Sequence, residues 1–221
     1  RFSPQDEPDW RADMLGDADI VVGKLVDQGL IDPKRMCAFG IAEGGFTAVS
    51  AGYRSAHQYR CVGGLRAYTD LPQTLSRYLR SSRDLHRDPT VLGLQRRYGF
   101  TSTDKDSVEA VSPEAHAAEF SAATLLVYFK KGGELRRKDA KRMARELERN
   151  GKDVDLVELG GDDRYLDRLD GREKLLRTLA DFVHKHYPPS ATYFPHGTQL
   201  FRVGRRVDGE MSLLLLRLHL I

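Results

Sequence analysis

The stretch "RMCAFGIAEGGFTAVSAG", residues 35–52, runs from an apolar segment through a tight glycine turn into small residues suited to a helix start. Strand, sharp turn and helix in that order form the frame of a nucleophile elbow. Small residues are needed there because the strand and helix backbones nearly touch across a strained turn. Gly40, Gly44 and Gly45 supply them, and the place of the nucleophile is held by Ala42. A methyl group has no lone pair with which to attack, so the frame is present without its reactive atom.

Working outward, the text alternates helical and strand patterns. "MLGDADIVVGKLVDQGL" (14–30) puts Met14, Ala18, Val21, Val22, Leu25 and Val26 at helical spacing and stops near Gly29 and Pro33. "RMCAFG" predicts a buried strand, with a helix from about Phe46. "YRCVGGLRAYT" (59–69), "ATLLVYFK" (123–130) and "DVDLVELG" (153–160) predict three more strands. "KDAKRMARELERNG" (138–151) carries Ala140, Met143, Ala144 and Leu147 on one stripe and ends on glycine, and "REKLLRTLADFVHKHY" (172–187) turns Leu175, Leu176, Leu179, Phe182 and Val183 inward. Such alternation predicts an α/β fold, a mostly parallel sheet with helices on both faces.

The bulk properties exclude more than they assign. In 221 residues, 35 basic side chains are offset by 32 acidic ones, a net charge of +3 that gives no footprint for nucleic acid. The one basic concentration, residues 77–99, is interleaved with Asp84 and Asp88 and reads as a solvated helical face. No run reaches the roughly 18–20 apolar residues of a membrane span, no signal peptide is visible, and the compartment stays open between cytoplasm and periplasm. Cys37 and Cys61 each lie in an apolar run. They read as two buried small residues, with neither a metal-ligand spacing nor a disulfide framework, although neighbouring strands would bring the thiols close. No cofactor or metal is implied.

Over residues 8–187, the succession "LVDQGLIDPKRMCAFGIAEGGFTAV", "YRCVGG", "DLPQTL", "VSPEAHAAEF", "LLVYF", "RMARELERNGKDVDLVELGGDDRYL" and "LLRTLADFVHKHYP" resembles the catalytic domain of the prolyl oligopeptidase family of serine peptidases. That resemblance implies an α/β-hydrolase-like fold and a Ser, Asp, His triad. The family writes its elbow G-x-S-x-G-G, its acid turn H-G-x-D-D-x-V-x-P and its histidine G-x-x-H. Carried over, the serine falls on Ala42 and the histidine, in "GGDDRYL", on Arg164. Counting back from Met143 puts Lys131 and Gly132 at the two carboxylate positions of the acid turn, with Tyr128 and Phe129 where the family has His-Gly.

All three catalytic identities are therefore expected to be absent. A guanidinium at position 164 stays protonated and shuttles nothing, and a lysine at 131 repels an imidazolium. Glu43 follows Ala42 and supplies, by the resemblance, one oxyanion-donor N–H; its carboxylate and that of Glu134 are the only parts from which a substitute site is conceivable. His57, His86, His116, His184 and His186 read as surface or capping residues. The expected function is a peptidase-like domain without activity that holds a peptide or a partner. The alternatives are a hydrolase with relocated residues and a non-functional fragment.

The family's domain has further strands before the matched region, and most members carry a β-propeller; the resemblance predicts both in a longer native protein. The strand "RMCAFG" is then expected to lack a neighbour on one side, which invites self-association. Two parts are expected: a partial hydrolase domain, 1–189, and a tail, 190–221, with no clear period and an apolar end, "SLLLLRLHLI".

Overall fold

The computed structural model describes residues 10–55, 57–74, 76, 109–131, 134–161, 166–186, 201–207 and 210–216. The apolar run "ATLLVYF" forms β3 (Ala123–Phe129), whose residues 124–129 are all buried. It is an interior strand, parallel to both of its neighbours, in a four-stranded sheet of order β1-β2-β3-β4, where β1 is Cys37–Ile41, β2 Cys61–Leu65 and β4 Val154–Leu159. Continuous hydrophobicity follows from burial on two faces.

The pleat divides the core. Val62, Leu126 and Tyr128 point to one face, where they meet α1 (Trp10–Asp27), α2 (Glu43–Arg54), a short 3₁₀ helix (Pro113–Glu119) and α3 (Glu134–Arg149). Cys61, Leu65, Leu125, Val127, Phe129 and Leu159 point to the other, where Leu175 and Phe182 of α4 (Leu169–His186) cover them. Ala140, Met143, Ala144 and Leu147 of α3 are buried as their stripe predicts, and each large side chain so buried contributes about 1.5–3 kcal/mol.

Several local expectations change. Glu43 and Glu134 open α2 and α3, three and four residues before the predicted starts. Val21 and Leu176, expected inside, are 56% and 65% exposed, because α1 and α4 bury a narrower stripe than their apolar content suggests. Cys37 and Cys61 are joined in a disulfide, contrary to the reading of two independent buried thiols. The parallel register sets Cys37 directly beside Cys61, Cα atoms 4.6 Å apart and side chains on the same face, a pairing that spacing along the chain does not reveal. The basic stretch 77–99 lies outside the described residues.

The chain divides into two units, Arg1–Tyr187 and Pro188–Ile221. In the second, β5 (Phe201–Val207) and β6 (Glu210–Leu216) pair antiparallel, Val207 opposite Glu210 and Phe201 opposite Leu216. The tail is thus a hairpin where no period was read. The two residues between its strands are Asp-Gly, the dipeptide that favours two-residue hairpin turns.

Candidate functional site

Ala42 joins β1 to α2 at φ 52°, ψ −111°. That conformation is strained for any residue with a Cβ and is the sharp strand-to-helix turn the glycines predict. Its N–H donates to the Leu65 carbonyl (2.9 Å) and its carbonyl accepts from the Phe46 N–H (2.9 Å), so the last sheet bond and a first helix bond share one residue. A Cβ on Gly40 would overlap the Gly44 carbonyl, and one on Gly45 would lie 3.1 Å from both the Ala67 Cβ and the Gly40 carbonyl oxygen. Gly44 differs: a Cβ there meets nothing within 4 Å, and its part in the turn is its own backbone, pressed against Gly40. Close approach therefore demands glycine at 40, crowds a side chain at 45 and imposes nothing at 44.

Glu43 is the first residue of α2, with its N–H at the helix end where backbone donors point outward and the macrodipole favours negative charge. Its half-buried carboxylate accepts from the Tyr68 hydroxyl at 3.2 Å. Tyr68 was not singled out in the sequence because the whole of 59–69 read as strand, whereas β2 ends at Leu65. Arg66 follows at φ 54° and turns the chain so that Tyr68 returns toward the elbow.

Lys131 is exposed, two residues beyond β3. Its N–H donates to the Gly161 carbonyl (3.0 Å), and that of Lys130 to the Leu159 carbonyl (2.9 Å), which ties the loops after β3 and β4 together at their bases. Arg164 lies outside the described residues. Gly132 is outside them as well, and Glu134 is described as the first residue of α3. Ala42 and Lys131 thus both follow the carboxyl ends of parallel strands, the edge where α/β sheets place their ligands.

The bonds of His57, His116 and His186 lead away from this edge. His57 Nε2 pairs with the Asp19 carbonyl of α1 at 2.9 Å. His116 is held between the Glu119 carboxylate and the Ala110 carbonyl, both 2.7 Å, and stacks on Tyr53. His186 packs on Phe182 of its own helix. His86 is outside the described residues.

A sheet of parallel strands whose first strand-to-helix turn is an elbow, flanked by helices on both faces, defines the fold as α/β-hydrolase-like. Solved structures share it. An acylaminoacyl peptidase of Pyrococcus horikoshii superposes with a TM-score of 0.63 at 14% identity, over 79% of this chain and 28% of that one. A puromycin-hydrolysing peptidase of Mycobacterium tuberculosis gives 0.66 at 19%, over 80% and 25%. An esterase of Thermogutta terrifontis gives 0.59 at 17%, over 81% and 68%. The resemblance to prolyl oligopeptidase-family peptidases holds at the level of the fold, and the chain spans about a quarter of the length of the two peptidases. No family model and no curated protein matches the sequence.

Proposed function

We propose that the chain is a peptidase-like scaffold that does not hydrolyse peptides and whose carboxyl sheet edge holds a peptide or a partner. The observation that carries this reading is Ala42, kept at φ 52°, ψ −111° over a turn that leaves Gly40 no room for a side chain. A strained turn of this kind presents a nucleophile, and alanine has none to present. On this reading Ala42, Lys131 and Arg164 stand where the resembled peptidases keep serine, acid and histidine. An ammonium and a guanidinium in the last two places remove both the base and the group that orients it.

The test is direct. Purified protein should hydrolyse no ester or peptidyl substrate above background and should resist labelling by a serine-directed phosphonate. Ala42→Ser should restore no useful activity, since a serine without its base is a weak nucleophile. Stoichiometric labelling of any serine, or turnover that disappears in Glu43→Gln, would overturn the reading.

A further inference from the structure

The side of the sheet away from the elbow is formed by β4. Among the described residues it pairs with β3 alone, in an unbroken parallel register from Thr124 opposite Val154 to Phe129 opposite Leu159. The Thr124 N–H donates to the Asp153 carbonyl and the Lys130 N–H to the Leu159 carbonyl, both at 2.9 Å. In a parallel strand the N–H and C=O of one residue point to the same side, and the side alternates from residue to residue. The odd-numbered residues of β4 therefore bond β3, and Val154, Leu156 and Glu158 turn their backbone groups outward. The Glu158 carbonyl agrees with this direction, since it accepts from Lys174 Nζ of α4 at 3.0 Å. Among the described residues the outward groups of Val154 and Leu156 have no partner, and Leu156 is 37% exposed.

An unpaired edge is a template for another chain, which proteins commonly blunt with lysine, proline or a bulge. The strand "VDLVEL" has none of the three. Instead a groove of about 450 Å³ runs between β4 and α4, with Leu125, Val157 and Phe182 as its apolar floor. The charged side chains that line it are Asp155, Asp181 and Lys185. Lys185 Nζ bonds both oxygens of Asp155, at 2.9 and 3.1 Å, so that pair is balanced. Asp181 is exposed, has no partner among the described residues and sets the charge of the groove. Glu158, on the other face of the strand, adds a second exposed carboxylate.

This charge selects among occupants. A second copy of the chain would bring an equally acidic edge, and like charges across an interface disfavour it. An extended segment with lysines on one face and apolar side chains on the other fits both faces of β4. Its lysine stems cover Val157 and Phe182 while their ammonium groups reach Asp181, and its apolar residues cover Leu156.

We propose that β4 is a docking edge for an extended basic segment of another protein, which adds a strand through the outward backbone groups of Val154 and Leu156 and is selected by Asp181. β4 stands at the opposite side of the four-stranded sheet from β1, so the proposal holds whatever the elbow does.

The probe is the labelled peptide Thr-Val-Lys-Val-Lys-Val-Thr, followed by fluorescence anisotropy with the full chain, beside a counterpart with glutamate in place of lysine. The lysine peptide should bind and the glutamate peptide should not. Asp181→Asn should weaken binding by up to about fivefold, an effect that fades with added salt. Leu156→Pro removes an outward N–H and leaves the ladder to β3 whole, so the protein should keep its fold and lose about tenfold or more in affinity. Amide hydrogen exchange by NMR needs no variant. The Val154 and Leu156 amides should exchange fast in the parent chain alone and slow when the lysine peptide binds, whereas those of Asp155 and Val157 should be slow throughout. Failure of the lysine peptide to bind, equal binding of the two peptides, or undiminished binding by a folded Leu156→Pro protein would overturn the proposal. So would a Leu156 amide protected without peptide: protection that grows with protein concentration identifies a second copy as the occupant, and protection lost on deleting residues 190–221 identifies the tail.

Discussion

Replacing Ala42 with glycine should make this protein more stable. The residue sits at φ 52°, ψ −111°, outside the regions an L-residue adopts at ease, and backbone strain of that kind costs about 1–3 kcal/mol. Glycine takes the same angles without a Cβ penalty but loses about 0.5–1 kcal/mol more backbone entropy on folding. The net expectation is stabilisation by about 1 kcal/mol, or roughly 2–4 °C in Tm for a chain of this length. Far-UV circular dichroism melts and urea midpoints, with the m-value unchanged, measure it. Gly40→Ala is the matched control with the opposite sign. Its Cβ would collide with the Gly44 carbonyl, and backbone cannot swing aside as a side chain can, so a loss of about 3 kcal/mol or more is expected. A loss of 0.5–1 kcal/mol in Ala42→Gly, the amount for an ordinary unstrained alanine, would refute the claim that the elbow is held under strain.

Other perturbations test other parts of the fold. Removing the Cys37–Cys61 bridge, by Cys→Ser at both positions or by a dithiol reductant, should cost about 3.5 kcal/mol, the loop-closure value for a 24-residue separation; urea midpoints identical with and without reductant would mean the thiols are not joined. Among the described residues β1 pairs with β2 alone and Ile41 at its end is 48% exposed, so we expect the chain to self-associate at tens of micromolar through that edge. Sedimentation showing a stable monomer, unchanged by deleting residues 190–221, would count against it.

What was legible in the sequence was whatever depends on neighbours along the chain. The elbow glycines at 40 and 45 were readable because a sharp turn between strand and helix leaves few residue choices, and "ATLLVYF" because burial on two faces forces an unbroken apolar run. The α3 stripe followed from its period. What depends on register or long-range assembly was not legible. Cys37 and Cys61 meet only because β1 and β2 pair without offset. Arg142 pairs with Asp70, Glu114 and Asp139, and nothing in the local text says that polar residues spread over 73 positions converge on one spot. The tail hairpin differs: its Asp-Gly turn signal is local, but the strands on either side of it carry no clear alternating period.

The bridge between the first two strands also fixes how the molecule would respond to force. Pulled from its ends, an oxidised chain extends only to the bridge and around it, so the residues enclosed between Cys37 and Cys61 bear no load. That enclosed length holds most of β1, the elbow and all of α2, and at roughly 3.3–3.6 Å per extended residue it withholds about 80 Å of contour from the stretched polymer. The turn around Ala42 is thereby shielded from tension, as a knot of slack on an otherwise taut line, until the sulfurs are reduced.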